Sequence, residues 1–222
     1  MTGAFGNIEE VDVDGAIRET AERVDGHTRT AFLRKAGIGA GMLVGGSALL
    51  GGVPGLASAA ATSDTDILNF ALTLEYLEAA FYAEAVKMGA LRGETKAFAK
   101  VVAGHEAQHV AALKGALGSA AVAMPRFDFK GTTANQAKFE ATSEVLEYTG
   151  VSAYLGQAAN ITSKKVLDAA GSILPVEAWH AAWIADIRRH GAKPYPAPVA
   201  FAAGKTKAQI LAAVKGTGFI VG

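Results

Sequence analysis

One pattern of Glu, Tyr and His occurs twice in this chain. Leu74-Glu75-Tyr76, with Tyr82 seven residues after the Glu, returns as Leu146-Glu147-Tyr148 with Tyr154. Glu106-Ala-Gln-His109 returns as Glu177-Ala-Trp-His180. The offset is 72 residues for the first pair of motifs and 71 for the second. Residues three or four apart on a helix share a face, so each Glu-x-x-His can aim both side chains at one point. Seven residues is nearly two turns, so each Tyr stands on the same face as its Glu. From residue 60 onward there are 9 Glu and 4 His, for which chance gives about 0.2 Glu-x-x-His pairs. Two occur, both in register with the repeat, so the pattern is treated as a ligand set.

The motifs sit on four helical stretches. The first opens at Ser63-Asp64-Thr65-Asp66, a capping sequence with acids in the first turn, and stops at Gly89. Ile67, Phe70, Ala71, Leu74, Leu77 and Phe81 recur along it at helical spacing. The second runs from about Glu94 to Leu117, before Gly118. A stretch with Pro125 and Gly131 and no helical period follows. The third helix is expected from about Thr133 to Ala159. The fourth is expected from about Ser163 to His190, with a kink at Pro175. Short links within each pair and one longer connection predict an all-α four-helix bundle of two antiparallel hairpins joined by a crossover. The bundle is expected over residues 61–190. Residues 191–222 form a tail that packs on it in extended form, with a short helix near KTKAQILAAVKG.

A Glu from each of two helices and Glu-x-x-His from each of the other two is the ligand set of dinuclear carboxylate proteins built on such bundles. Glu75, Glu106, His109, Glu147, Glu177 and His180 are therefore the expected metal ligands. Four carboxylates neutralise two divalent ions. Their burial without a cation would be costly, and no Lys or Arg is expected to face them. With no Cys in the chain, thiolate zinc sites, iron–sulfur centres and disulfides are excluded. Zero formal net charge and the absence of a basic stripe leave no footprint for nucleic acid.

Several side chains near the motifs admit other readings. Glu78 and Glu144 each lie three residues from a favoured Glu. Their repeat counterparts are Gly150 and Leu72, so neither is symmetric, and either could join the site or accept hydrogen bonds beside it. His105 is expected on the surface or in packing. Trp179 and Trp183, four apart, read as a packing stripe. Tyr82 and Tyr154 are expected in the core, with hydroxyls that need partners; a hydrogen bond to a ligand or electron transfer is the functional alternative.

The first sixty residues read as an address. Thr28-Arg29-Thr30-Ala31-Phe32-Leu33-Arg34-Lys35 precedes an uncharged, Gly-rich stretch from Ala36 to Ala61 that ends in Ala57-Ser58-Ala59-Ala60-Ala61. A basic segment, an apolar segment and small residues at the end make a cleavable export signal. The block resembles a twin-arginine signal, with Thr30 where the second Arg would stand. The alternative is a membrane anchor, since the uncharged run is long enough to span. With the signal removed, no stable membrane insertion is expected, and the protein would reside in the periplasm, the cell envelope or outside the cell.

LNFALTLEYLEAAFY, HEAQHVAAL, LEYTGVSAYLG, VEAWHAAW and the tail QILAAVKGTGFIVG resemble the exported ferritin-like proteins that include a desiccation-related branch. The resemblance covers about Thr65 to Ile220. It implies a ferritin-like bundle and a di-iron or di-manganese centre, with O₂ or peroxide as the small-molecule partner and a role under stress. The leading expectation is two iron ions serving iron oxidation or peroxide and O₂ chemistry, in a chain that could form a homo-oligomer. The alternatives are a metal-free envelope scaffold and a manganese catalase-like enzyme.

Overall fold

The computed structural model describes residues 63–197 and 199–221; the expected export signal lies outside them. Five α-helices are described: α1 Asp64–Met88, α2 Gly93–Leu117, α3 Gln136–Ala158, α4 Lys164–Arg189 and α5 Lys207–Thr217. The first four form the bundle, each 23 to 26 residues long. At 1.5 Å per residue they run about 35–39 Å. The links at 89–92 and 159–163 are short, so α1 lies against α2 and α3 against α4. Residues 118–135 form the crossover.

Local chemistry sets the helix ends. Ser63 caps α1: its hydroxyl accepts from the Asp66 amide, while the Asp66 carboxylate reaches back to the Ser63 amide. Gly89 closes the helix at φ 67°, a left-handed position that glycine adopts without a Cβ clash. The third helix starts later than the periodicity predicts. Asn135 is extended and accepts from the Lys138 amide, so α3 begins at Gln136. Thr132–Ala134 form a separate 3₁₀ turn. Pro175 lies inside α4, which continues on both sides of it.

Polar contacts tie the connections to the helices. The Asp64 carboxylate accepts from the Thr162 and Ser163 amides, which fastens the start of α1 to the α3–α4 turn. Asn69 donates to the Ala120 carbonyl and accepts from the Val122 amide, each at 2.9 Å, which lays the start of the crossover on α1. The crossover and the C-terminal tail hold each other: the Asp128 amide donates to the Phe219 carbonyl, and the Val221 amide to that of Arg126.

The apolar core fills one end of the bundle with Phe81, Phe98 and Phe139, all fully buried, and extends through Phe129 to Phe219. From α5, Ile210 and Val214 enter the same core, so the tail contributes more than an extended cover. Trp183 stacks edge-on against Phe98 and donates to Glu94. Trp179, by contrast, is 67% exposed, which corrects the expectation of a two-Trp packing stripe. Four residues advance a helix by about 400°, and that 40° excess suffices to turn one ring out to solvent. Among the described residues no helix is long and apolar enough to cross a membrane.

Candidate metal centre

Every bundle helix places charged groups in its interior. Glu75 on α1, Glu106 on α2, Glu147 on α3 and Glu177 on α4 are each 0% exposed, deeper than most of the apolar core. His109 and His180 are also buried. Carboxylates so placed need a compensating cation or a proton.

The six side chains converge as two overlapping groups. Glu75, Glu106, His109 and Glu177 form one; Glu106, Glu147, Glu177 and His180 form the other. Within each group one donor atom per residue lies within 4.8 Å of all the others. Donors held at about 2.0–2.2 Å from one ion span roughly 4 Å, so small side-chain movements suffice to close either group on a cation. Glu106 and Glu177 belong to both groups. The two carboxylates from the Glu-x-x-His motifs thus lie between two positions, each completed by one further Glu and one His.

The hydrogen bonding fits this division. His109 Nδ1 lies 3.2 Å from Glu75 Oε2 and 3.3 Å from both Glu106 Oε2 and Glu177 Oε1. A ring nitrogen carries at most one proton, so it cannot satisfy three carboxylates. His180 Nδ1 lies 3.2 Å from Glu106 Oε1 and 3.3 Å from Glu147 Oε2, but without hydrogen-bond alignment. As a result His180 Nδ1, Glu106 Oε1, Glu147 Oε2 and both Glu177 oxygens are buried with no hydrogen-bond partner. Orphaned donors and acceptors gathered in these two groups could hold metal ions.

The electrostatics point the same way. Burial, then the charges of neighbouring carboxylates, pushes Glu75 well above the usual carboxylate range. Burial and the charge of Glu106 raise Glu177 to about 8. Burial works against protonation of His109, yet contact with Glu106, Glu177 and Glu75 raises it to about 12; His180 is raised to about 10 against the same opposition by Glu106 and Glu147. Burial also opposes the charged form of Glu106, but the two imidazoles outweigh it and bring the carboxyl to about 2. With protons as the only cations, the cluster draws positive charge onto its imidazoles. Two metal ions would supply that charge in their place.

The chain belongs to the ferritin-like family. The model of the ferritin-like domain matches residues 63–190, the whole four-helix bundle with all six converging side chains. No curated protein gives a significant match.

Around this ferritin-like cluster the two tyrosines act across the repeat. The Tyr154 hydroxyl donates to Glu75 Oε1 at 2.5 Å, and the Tyr82 hydroxyl donates to Glu147 Oε1. Each Tyr therefore holds the Glu of the other half, whereas its sequence position relates it to the Glu seven residues before it. Burial and the adjacent carboxylate push both phenols well up, so they remain neutral donors.

Two neighbours change role. His105, expected on the surface or in packing, lies edge to edge with His180, the rings nearly parallel and its Nδ1 2.8 Å from His180 Nε2. The signal was available: His105 is four residues before His109 and so shares much of its face. Glu144 is held by Arg188 and Arg189 and takes no part in the cluster. Glu78, the other rival, is buried near Glu177 and Gly150 but belongs to neither converging group.

Proposed function

We propose that this ferritin-like chain holds a dinuclear metal centre, with Glu106 and Glu177 shared between the ions, Glu75 and His109 completing one position, and Glu147 and His180 the other. The observation that carries the reading is the set of buried, unpartnered oxygens on Glu106, Glu147 and Glu177 beside an unpartnered His180 Nδ1. Imidazole and carboxylate without thiolate suit iron or manganese, and iron is the leading assignment. When bound, such a pair supplies electrons to O₂ or peroxide, with oxidation of ferrous iron as the simplest reaction of this class.

The protein's own residues hold this site in place. Tyr82 and Tyr154 orient the carboxylates of Glu147 and Glu75. His105 fixes the ring of His180, since a lone pair at Nδ1 requires the proton at Nε2, from which it donates to His105 Nδ1. Burial lowers the pKa of His105, as do the two neighbouring imidazoles, which keeps it neutral and able to accept. An apolar cavity of about 20 Å³ is lined from all four bundle helices, by Leu74, Leu113, Tyr154 and Val166 among others, and so borders the Tyr154 that holds Glu75.

Residues 28–61 support export and action in the cell envelope, where a metal centre of this kind would serve under oxidative or desiccation stress. Elemental analysis of the protein from its native source, beside a Glu106→Ala/Glu177→Ala variant, tests the central reading. About two iron or manganese per chain, lost in the variant, is the expected result for two shared carboxylates. No metal in either, even after reconstitution, would sink it and leave a scaffold. N-terminal sequencing of the same sample tests cleavage near Ala60.

A further inference from the structure

Beside the two converging groups, and outside both, lies one carboxylate more than two divalent ions require. Glu78 is 3% exposed, and both its oxygens are buried without a hydrogen-bond partner. Among the described residues no Lys, Arg or His pairs with it. Arg188 and Arg189 are engaged by Glu144, and the Tyr82 hydroxyl is engaged by Glu147 and Ser143. Burial, then the charges of Glu177, Glu147, Glu106 and Glu75, pushes the Glu78 carboxyl well above the usual range. A carboxylate that serves packing alone would not be left with four like charges and no donor.

Its counterpart in the repeat is a glycine. The repeat offset of 72 that relates Glu75 to Glu147 relates Glu78 to Gly150. A Cβ at Gly150 would lie 2.5 Å from Glu177 Oε2 and 3.6 Å from Glu78 Oε1. The missing side chain on α3 thus leaves room for the Glu177 carboxylate, and Glu78 borders the same point at ordinary van der Waals distance. Where strict repetition would place two carboxylates, the chain places one, on the side of the site that Gly150 opens for Glu177.

We propose that Glu78 is a seventh ligand of the dinuclear centre, binding beside Glu177 on the Gly150 side and favouring the more highly charged state of the metal pair. The proposal rests on the dinuclear reading given above. Glu75, Glu106, Glu147 and Glu177 balance two divalent ions; a fifth carboxylate leaves a negative surplus that oxidation of either ion to the trivalent state removes. The effect belongs to this chain's asymmetry, because only one half of the repeat carries the extra Glu.

The test is anaerobic loading of the full chain with ferrous iron, beside Glu78→Gln and Glu78→Asp, followed by the iron count and the ratio of oxidised to reduced centre at a fixed applied potential. The expected result is two irons per chain in wild type and in Glu78→Gln, with that ratio lower in Glu78→Gln by at least about tenfold for the loss of a unit charge at the metals. Glu78→Asp keeps the charge on a shorter arm and should fall between them. Gln reproduces the shape of a neutral, protonated Glu. An unchanged ratio and unchanged iron spectrum in Glu78→Gln would therefore reduce Glu78 to packing and overturn the proposal. If Glu78→Gln does not fold, Glu78→Asp decides: a shifted iron spectrum supports ligation, and a wild-type spectrum overturns it. Three irons in wild type falling to two in Glu78→Gln would also overturn it, by giving Glu78 an ion of its own. Wild type that takes up no iron would remove the dinuclear reading itself, a failure visible before any variant is compared.

Discussion

Tyr154 on α3 donates a 2.5 Å hydrogen bond to Glu75 on α1, and Tyr82 on α1 donates the same bond back to Glu147 on α3. The offset of 72 carries Glu75 onto Glu147 and Tyr82 onto Tyr154, so these are one contact made twice by a repeated structure. Each half of the bundle orients a carboxylate of the other, and neither half can assemble its position alone.

Loss of these hydroxyls should therefore weaken metal binding with the ligands untouched. Tyr154→Phe removes the bond to Glu75 and should lower affinity for one ion by about 10–100-fold, the usual cost of losing such support. Tyr82→Phe should do the same for the position that Glu147 completes. Stepwise titration with Mn²⁺ reads both. Equal weakening of both steps by either single variant would contradict the division into two positions.

His105 should matter to one position only. His105→Phe keeps a ring beside His180 but removes the acceptor for Nε2, and weakening of about tenfold or more is expected at the position that His180 completes. Among the described residues His109 has no such neighbour: its hydrogen bonds run through Nδ1 to Glu75 and Glu106. Metal titration of His105→Phe that matches wild type at both steps would return His105 to a packing role.

Much of this was legible in the sequence because helical periodicity reports facing. The bundle, its two hairpins and the six converging side chains follow from spacing along single helices. What spacing does not report is contact between helices. The crossed pairing of Tyr82 with Glu147 depends on how α1 meets α3, and no interval within either helix encodes it. The fate of Glu144 was hidden for the same reason, since its arginines come from the end of α4. Glu78 could be marked as a rival, but only the packing shows it beside the room that Gly150 leaves for Glu177. The start of α3 moved to Gln136 because the Asn135 cap overrode an otherwise suitable helical sequence.

Gly150 gives a direct test of that room. In Gly150→Ala the new methyl would lie 2.5 Å from Glu177 Oε2, so the carboxylate must swing away. The obstacle is the end of a flexible side chain, so the fold should persist while metal affinity falls at both positions, because Glu177 belongs to both. Gly156→Ala is the contrast: there the obstacle is the Lys205 backbone, and the tail should be displaced at a cost of about 1–3 kcal/mol. Thermal melting and metal titration together should separate the two variants; loss of stability without loss of affinity in Gly150→Ala would contradict the placement of Glu177.

The pH dependence of stability should change slope with metal. In the metal-free protein His180 and His109 are raised from 6.5 to about 10 and about 12, and Glu177 from 4.5 to about 8. The native state then binds more protons than the unfolded state, and stability falls as pH rises. The histidine contributions are complete below 6.5 and lost as pH passes about 10 and about 12; that of Glu177 is complete below 4.5 and lost as pH passes about 8. Glu106, lowered to about 2, acts oppositely, but its contribution is lost only as pH falls from 4.5 through about 2. Between about pH 5 and 9 the metal-free melting temperature should therefore decline. Metal reverses the balance: the same groups must give up their protons to become ligands, so binding strengthens as pH rises. Melting in chelator and in excess Mn²⁺ across this range should show a metal-induced rise in Tm that widens with pH. A rise of the same size at both ends would mean that the ion binds elsewhere than among these carboxylates and imidazoles.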